Sequence, residues 1–99
     1  MHRTAYVALS GEFDIHNSKN LEQMLPPPDG CTRLIVDCTR VRYMDTAALG
    51  ALIRYRRACS EYTTEPDIVI VAPDGPLRKI FDVVGFVKLF QVVDTVPVE

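Results

Sequence analysis

The residues best placed to do chemistry are Asp45-Thr46-Ala47-Ala48-Leu49-Gly50. They follow a strand-like apolar run and open an amphipathic segment. Aspartate is a favoured helix N-cap because its carboxylate accepts from the orphan N–H groups of the first turn. Ala47 to Ile53 carries small and apolar residues at helical spacing. Thr46 is therefore expected in the first turn of a helix, beside unpaired N–H groups and the positive end of the helix dipole. A phosphate ester on its hydroxyl would be supported there. The chemistry implied is a switchable hydroxyl on a strand-to-helix turn.

Other constellations are weaker. Asp14, Asp37 and Asp45 all fall near expected strand ends, and Asp14 and Asp45 are the pair that would converge at one edge of the sheet and frame Thr46. The plainer reading makes Asp45 a cap and Asp14 a turn residue. General acid–base catalysis needs a tuned partner in a cleft, and neither His2, in the N-terminal tail, nor His16, beside a helix cap, supplies one. There is no GxSxG, no Cys-His pair at a supporting spacing, and the glycines stand alone at 11, 30, 50, 75 and 85, so no phosphate loop exists. No catalytic residue, cofactor site or metal site is expected, and the chain does not read as an enzyme. Cys31, Cys38 and Cys59 are odd in number and lack CxxC spacing. They read as reduced thiols, Cys38 and Cys59 as small buried hydrophobes, with a redox pair as the alternative. Arg54-Tyr55-Arg56-Arg57 reads as a solvated helix face or a basic interaction patch. Gly50 inside a helix costs about 1 kcal/mol against alanine, which suggests close packing by the core or a partner.

The elements that must position Thr46 fit one domain spanning residues 1–99. The chain has 99 residues, 47% of them hydrophobic, enough for a small core. A net charge of −2 gives no footprint for nucleic acid. No apolar run approaches the roughly 18 residues of a membrane span. The N-terminus lacks an apolar signal region, so a cytoplasmic location is expected.

Ala5 to Ser10 reads as a first strand, with Gly11 marking a bend or a bulge and a short second strand over Gly11 to Ile15. Asn17 is a plausible N-cap for a helix buried through Leu21, Met24 and Leu25, ended by Pro26-Pro27-Pro28-Asp29-Gly30. Arg33 to Cys38 is a strand covered on both faces, and Val41 to Met44 leads into Asp45. The second helix is expected over Thr46 to Tyr62, on the stripe Ala48, Leu52, Tyr55, Cys59 and Tyr62. Ile68 to Val71 is a β-branched strand. Pro76 opens a third helix facing the core through Leu77, Ile80, Phe81 and Val84, with Gly85 as its left-handed cap. Gln91 to Val93 is a last short strand. Alternating strands and helices place the chain in the α/β class, with a small, mostly parallel sheet carrying mixed edges. Leu52, Ile35, Val69, Ile70 and Ile80 are the expected core.

Four segments in order resemble the STAS domain of anti-sigma factor antagonists: Leu9-Ser10-Gly11-Glu12-Phe13-Asp14, Leu34-Ile35-Val36-Asp37, Tyr43 to Gly50, and Ile80 to Phe86. The resemblance implies a mixed sheet with helices packed on one face. It implies partner switching: the unmodified antagonist binds a kinase-type anti-sigma factor and frees a sigma factor. The kinase then phosphorylates a hydroxyl at the turn before the second helix, and a phosphatase resets it. Carried onto this chain, the phosphorylation site is Thr46. The partner-binding residues are Asp14, Asp45, Thr46, Ala47, Ala48, Leu49 and Gly50. The chain departs from the family pattern where Ala47 replaces a second hydroxyl residue and Ala48 a glycine. It also ends at Glu99, where many members add a helix. The departure gives weight to a rival resemblance, the cytoplasmic STAS subunit that docks on the ATPase of phospholipid ABC transporters without phosphotransfer. A third reading is a STAS scaffold inside a larger signalling particle.

Overall fold

In a computed structural model, residues 3–30 and 32–97 are described. The elements run β1 (Thr4–Phe13), α1 (Ser18–Met24), β2 (Arg33–Met44), α2 (Thr46–Cys59), β3 (Asp67–Val71), α3 (Pro76–Val83), a short 3-10 helix (Phe86–Lys88) and β4 (Gln91–Val93). The strands form a four-stranded sheet in the order β1-β2-β3-β4, and every pairing is parallel. The α/β class stands. The mixed edges expected from the sequence do not occur among the described residues.

Sequential parallel strands joined by right-handed crossovers place every connecting helix on the same face. One core cluster accordingly unites Leu9, Leu34, Val36, Ile68 and Ile70 with Leu21, Ala48, Leu52, Leu77, Phe81 and Phe86 from the helical layer. The alternate positions Ile35, Val69 and Val71 form a second buried cluster on the opposite face. That two-sided burial explains why β3 reads as unbroken Ile68-Val69-Ile70-Val71. Phe81 of α3 and Phe86 of the 3-10 helix, both buried, stack at 4.9 Å and join those two elements within the core. Of the expected core residues, Leu52, Ile35, Val69 and Ile70 are buried, and Ile80 packs against the core while partly exposed.

Several boundaries differ from the sequence reading. There is no separate second strand after Gly11: β1 runs on to Phe13, and of the two readings of Gly11 the bulge-like one stands. The glycine takes φ 89° within the strand, and the irregularity is absorbed as register shifts against β2 at Ala8/Ser10 and Gly11/Glu12. β2 likewise continues through Thr39 and Arg40. α2 stops at Cys59, where the Ser60 N–H bonds to Arg56 O, and Tyr62 lies outside the helix, 62% exposed. Met24 and Val84, read as core-facing, are exposed at their helix ends. Gly85 is left-handed at φ 78°, as expected. Cys38 and Cys59 are buried and free, and burial, with some help from the Asp37 charge, pushes the Cys38 thiol up to about 12. Cys31 and His2 lie outside the described residues.

Candidate regulatory site

Asp45 organises the junction of β1, β2 and α2. Its backbone is extended, and its Oδ1 accepts from Ala48 N at 3.0 Å, the N-cap bond expected from sequence. Its Oδ2 accepts from Ile15 N at 3.0 Å. Asp45 N donates to Phe13 O at 3.0 Å, which ends the β1–β2 ladder. One aspartate thus caps α2 and fastens the turn after β1 to it.

That turn holds Asp14. Asp14 Oδ1 accepts from His16 N at 2.8 Å, and Asp14 N donates to Asn17 Oδ1 at 2.7 Å. The Asn17 amide also reaches Glu12 O at 2.9 Å. Asn17 occupies the N-cap position of α1 but makes no side-chain cap bond, because its side chain is spent on the Asp14 turn. Asp45 is thus tied to the turn that holds Asp14 through the N–H of Ile15. Asp37 is elsewhere. It lies mid-strand, opposite Ala8 and Val71, with 8% exposure. Its carboxylate accepts from Tyr6 Oη and from Thr39 N, the latter at 2.9 Å. Burial works to raise its pKa, yet the bonds from Tyr6 and Thr39 and the Arg40 charge prevail and hold it below the ordinary aspartate range.

Thr46 is the first residue of α2 and is exposed. Its hydroxyl makes no hydrogen bond to the described residues. The residues after it divide by helical phase. Ala48 and Leu49 are buried in the core, so their side chains hold the helix and are closed to a partner. Ala47 and Gly50 are partly exposed. A Cβ on Gly50 would meet Arg54 Nη1 at 3.3 Å. Arg54 itself reaches Glu22 Oε1 from both Nε and Nη2 at 3.1 Å. Gly50 therefore lies beneath a flexible ion pair and makes no close backbone contact. Arg56 is likewise engaged, donating to Leu89 O at 2.6 Å, so the arginine cluster is largely tied to neighbouring elements. The accessible rim is Asp14, Asp45, Thr46, Ala47 and Gly50, joined by one residue that sequence reasoning passed over. Ile15 is 71% exposed beside Asp45, and its only signal was an apolar residue in an otherwise polar turn. Among the described residues no cluster of His, Cys, Asp or Glu is placed to hold a metal ion. No helix is long and apolar enough to cross a membrane.

Comparison with known families places this geometry. The STAS domain model matches residues 2–98. The chain belongs to the STAS domain family. The anti-sigma-B factor antagonist of Staphylococcus aureus is similar at 26% identity over 95 residues, covering 94% of this chain and 86% of that protein. A crystal structure of a proposed anti-sigma factor antagonist from Thermotoga maritima shares the fold at TM-score 0.76 and 16% identity, over 92% of this chain and 80% of that one. The anti-sigma factor antagonist SpoIIAA in its unphosphorylated form matches at TM-score 0.68 and 18% identity, over 97% and 84%. The phosphorylated form of the Bacillus cell fate determinant SpoIIAA matches at 0.65 and 19%, over 94% and 85%. In this STAS fold, Asp45 and Thr46 sit where the long β2 strand hands over to α2.

Proposed function

We propose that the chain is a cytoplasmic anti-sigma factor antagonist that acts by binding and performs no catalysis of its own. Its partner is a kinase-type anti-sigma factor, docked on the rim Asp14, Ile15, Asp45, Thr46, Ala47 and Gly50. The partner phosphorylates Thr46, the complex separates, and a phosphatase restores the hydroxyl. The observation that carries this reading is the Thr46 hydroxyl, exposed and unbonded in the first turn of a helix whose cap is already supplied by Asp45. Antagonist relatives support it, as does the existence of SpoIIAA in both phosphorylated and unphosphorylated forms.

Physical chemistry gives the switch its sign. A phosphate adds about −1.5 to −2 charges, and the α2 N-terminus supports them within the domain. A partner surface shaped for a neutral hydroxyl beside two aspartates meets added bulk, repulsion and a desolvation cost. Thr46→Glu should keep the fold and weaken binding to the anti-sigma factor, whereas Thr46→Ala should bind and resist release by ATP. Calorimetric titration of the three proteins against the kinase checks this, and equal affinity for all three would refute it.

Ala47 and Ala48 give weight to a second reading, docking on a phospholipid-transporter ATPase without phosphotransfer. Binding to such an ATPase with no phosphate incorporated from ATP would select it.

A further inference from the structure

The outer margin of β1 is unused by anything described so far. Among the described residues β1 has one strand neighbour, β2. The direction of its main-chain groups follows from the bonds at its two ends. Arg3 O accepts from Thr32 N and Arg33 N at 2.9 and 3.2 Å, and Phe13 O accepts from Asp45 N at 3.0 Å. Odd-numbered residues thus face β2, and alternation along the strand turns Thr4, Tyr6, Ala8 and Ser10 outward. Glu12, next in the outward series, has its carbonyl taken by the Asn17 amide at 2.9 Å. The margin is closed at Glu12 and open from Thr4 to Ser10.

Open edges are normally blunted by lysine, proline or a bulge. Thr4-Ala5-Tyr6-Val7-Ala8-Leu9-Ser10 has neither a charge nor a proline. Thr4 to Ala8 runs in unbroken register with Arg33 to Asp37, ahead of the first irregularity. Charges sit only beyond the two ends, as exposed Arg3 and exposed Glu12. An antiparallel copy of this strand brings each Arg3 to the end that carries the other Glu12, whereas a parallel copy sets like beside like.

We propose that β1 pairs antiparallel with β1 of a second copy of this chain, making one continuous sheet about a two-fold axis at Val7. In this register Tyr6 lies opposite Ala8 of the second copy, and Thr4 opposite Ser10 of the second copy. Each such pair exchanges two N–H···O=C bonds. Val7 meets its own counterpart, and Ala5 meets Leu9 of the second copy, on the face that carries the helices. Polar and small residues meet on the other face. A slip of one residue would oppose outward and inward groups and mismatch both faces. Glu12 stays outside the ladder, so Asn17 is not displaced, and the rim around Thr46 remains open in the dimer.

Sedimentation equilibrium of the full chain, over a concentration series reaching millimolar, tests this alongside amide hydrogen exchange. The mass should rise from monomer to dimer, with the amides of Thr4, Tyr6, Ala8 and Ser10 gaining protection in step. Those of Ala5 and Val7 should be protected throughout. Ala8→Pro removes an outward N–H that no bond among the described residues uses. The pair Thr4→Lys and Ser10→Lys sets like charges across the junction at two exposed sites. Each variant should move the dimerisation midpoint at least tenfold upward. A monomer at every concentration, or a dimer indifferent to both variants, overturns the proposal. So does a monomer whose outward amides become protected only when an anti-sigma factor is added, which would assign the edge to another protein.

Discussion

Asp45 is a structural cap, and the adjacent Thr46 is the residue proposed for regulation. Asp45 has two tethers, to Ala48 N and Ile15 N. Asp45→Ala should cost on the order of 1 kcal/mol through the lost cap, read as a lower urea midpoint. Thr46→Ala should change stability by no more than about 0.5 kcal/mol, as for surface positions generally. A large loss there would make Thr46 a structural residue. Asp37 is expected to contribute to acid sensitivity. Its folded pKa is depressed, so its stabilisation is present above the ordinary aspartate value of about 3.9 and fades as pH falls through the lower folded value. Asp37→Asn should flatten the acid side of the stability–pH profile, and Tyr6→Phe should move Asp37 back toward the ordinary value, measurable by NMR titration. A profile unchanged in Asp37→Asn would assign the acid limb to other carboxylates. The cap at Asp45 was legible in sequence because capping is a local, one-turn interaction. The spread of Asp14 and Asp37 was not. Which carboxylates meet depends on register, and two shifts in the β1–β2 ladder decide where each one points.

The elements themselves were legible wherever periodicity was strong. The β-branched run of β3, the Pro76 start of α3 and the left-handed Gly85 all stand as read. The departures have separate causes. Gly11 reads as a bend or bulge before a separate strand, yet β1 continues through the irregularity to Phe13. Tyr62 falls on the apolar stripe of α2, yet the helix ends before reaching it. Asn17 reads as a cap, yet the Asp14 turn claims its side chain. The phase of α2 is the element-scale test. Leu52→Ala should cost about 2–5 kcal/mol, because Leu52 is 2% exposed in the main core. Gly50→Ala should be neutral or stabilise by up to about 1 kcal/mol, since only the mobile Arg54 head must yield. Urea denaturation of both variants checks the phase. A neutral Leu52→Ala with a costly Gly50→Ala would show it rotated.

Across the whole molecule, the architecture separates a stable body from an exposed rim. Four parallel strands and their one-sided helices bury the core, while the residues proposed for regulation gather at the junction of β1, β2 and α2. Family membership follows from the match along nearly the whole chain. The proposed partner and modification rest on the rim and on the antagonist relatives, and burial of Ala48 and Leu49 narrows the motif to fewer accessible residues than its sequence suggests. A phosphate on Thr46 would lie outside the core at a helix N-terminus, so the proposed release requires no unfolding. The central claim is tested most directly by incubating the protein with its kinase-type anti-sigma factor and ATP and locating the modification by mass spectrometry. One phosphate on Thr46, absent in Thr46→Ala, is the predicted result. No phosphate on Thr46, with binding indifferent to ATP, would contradict the account.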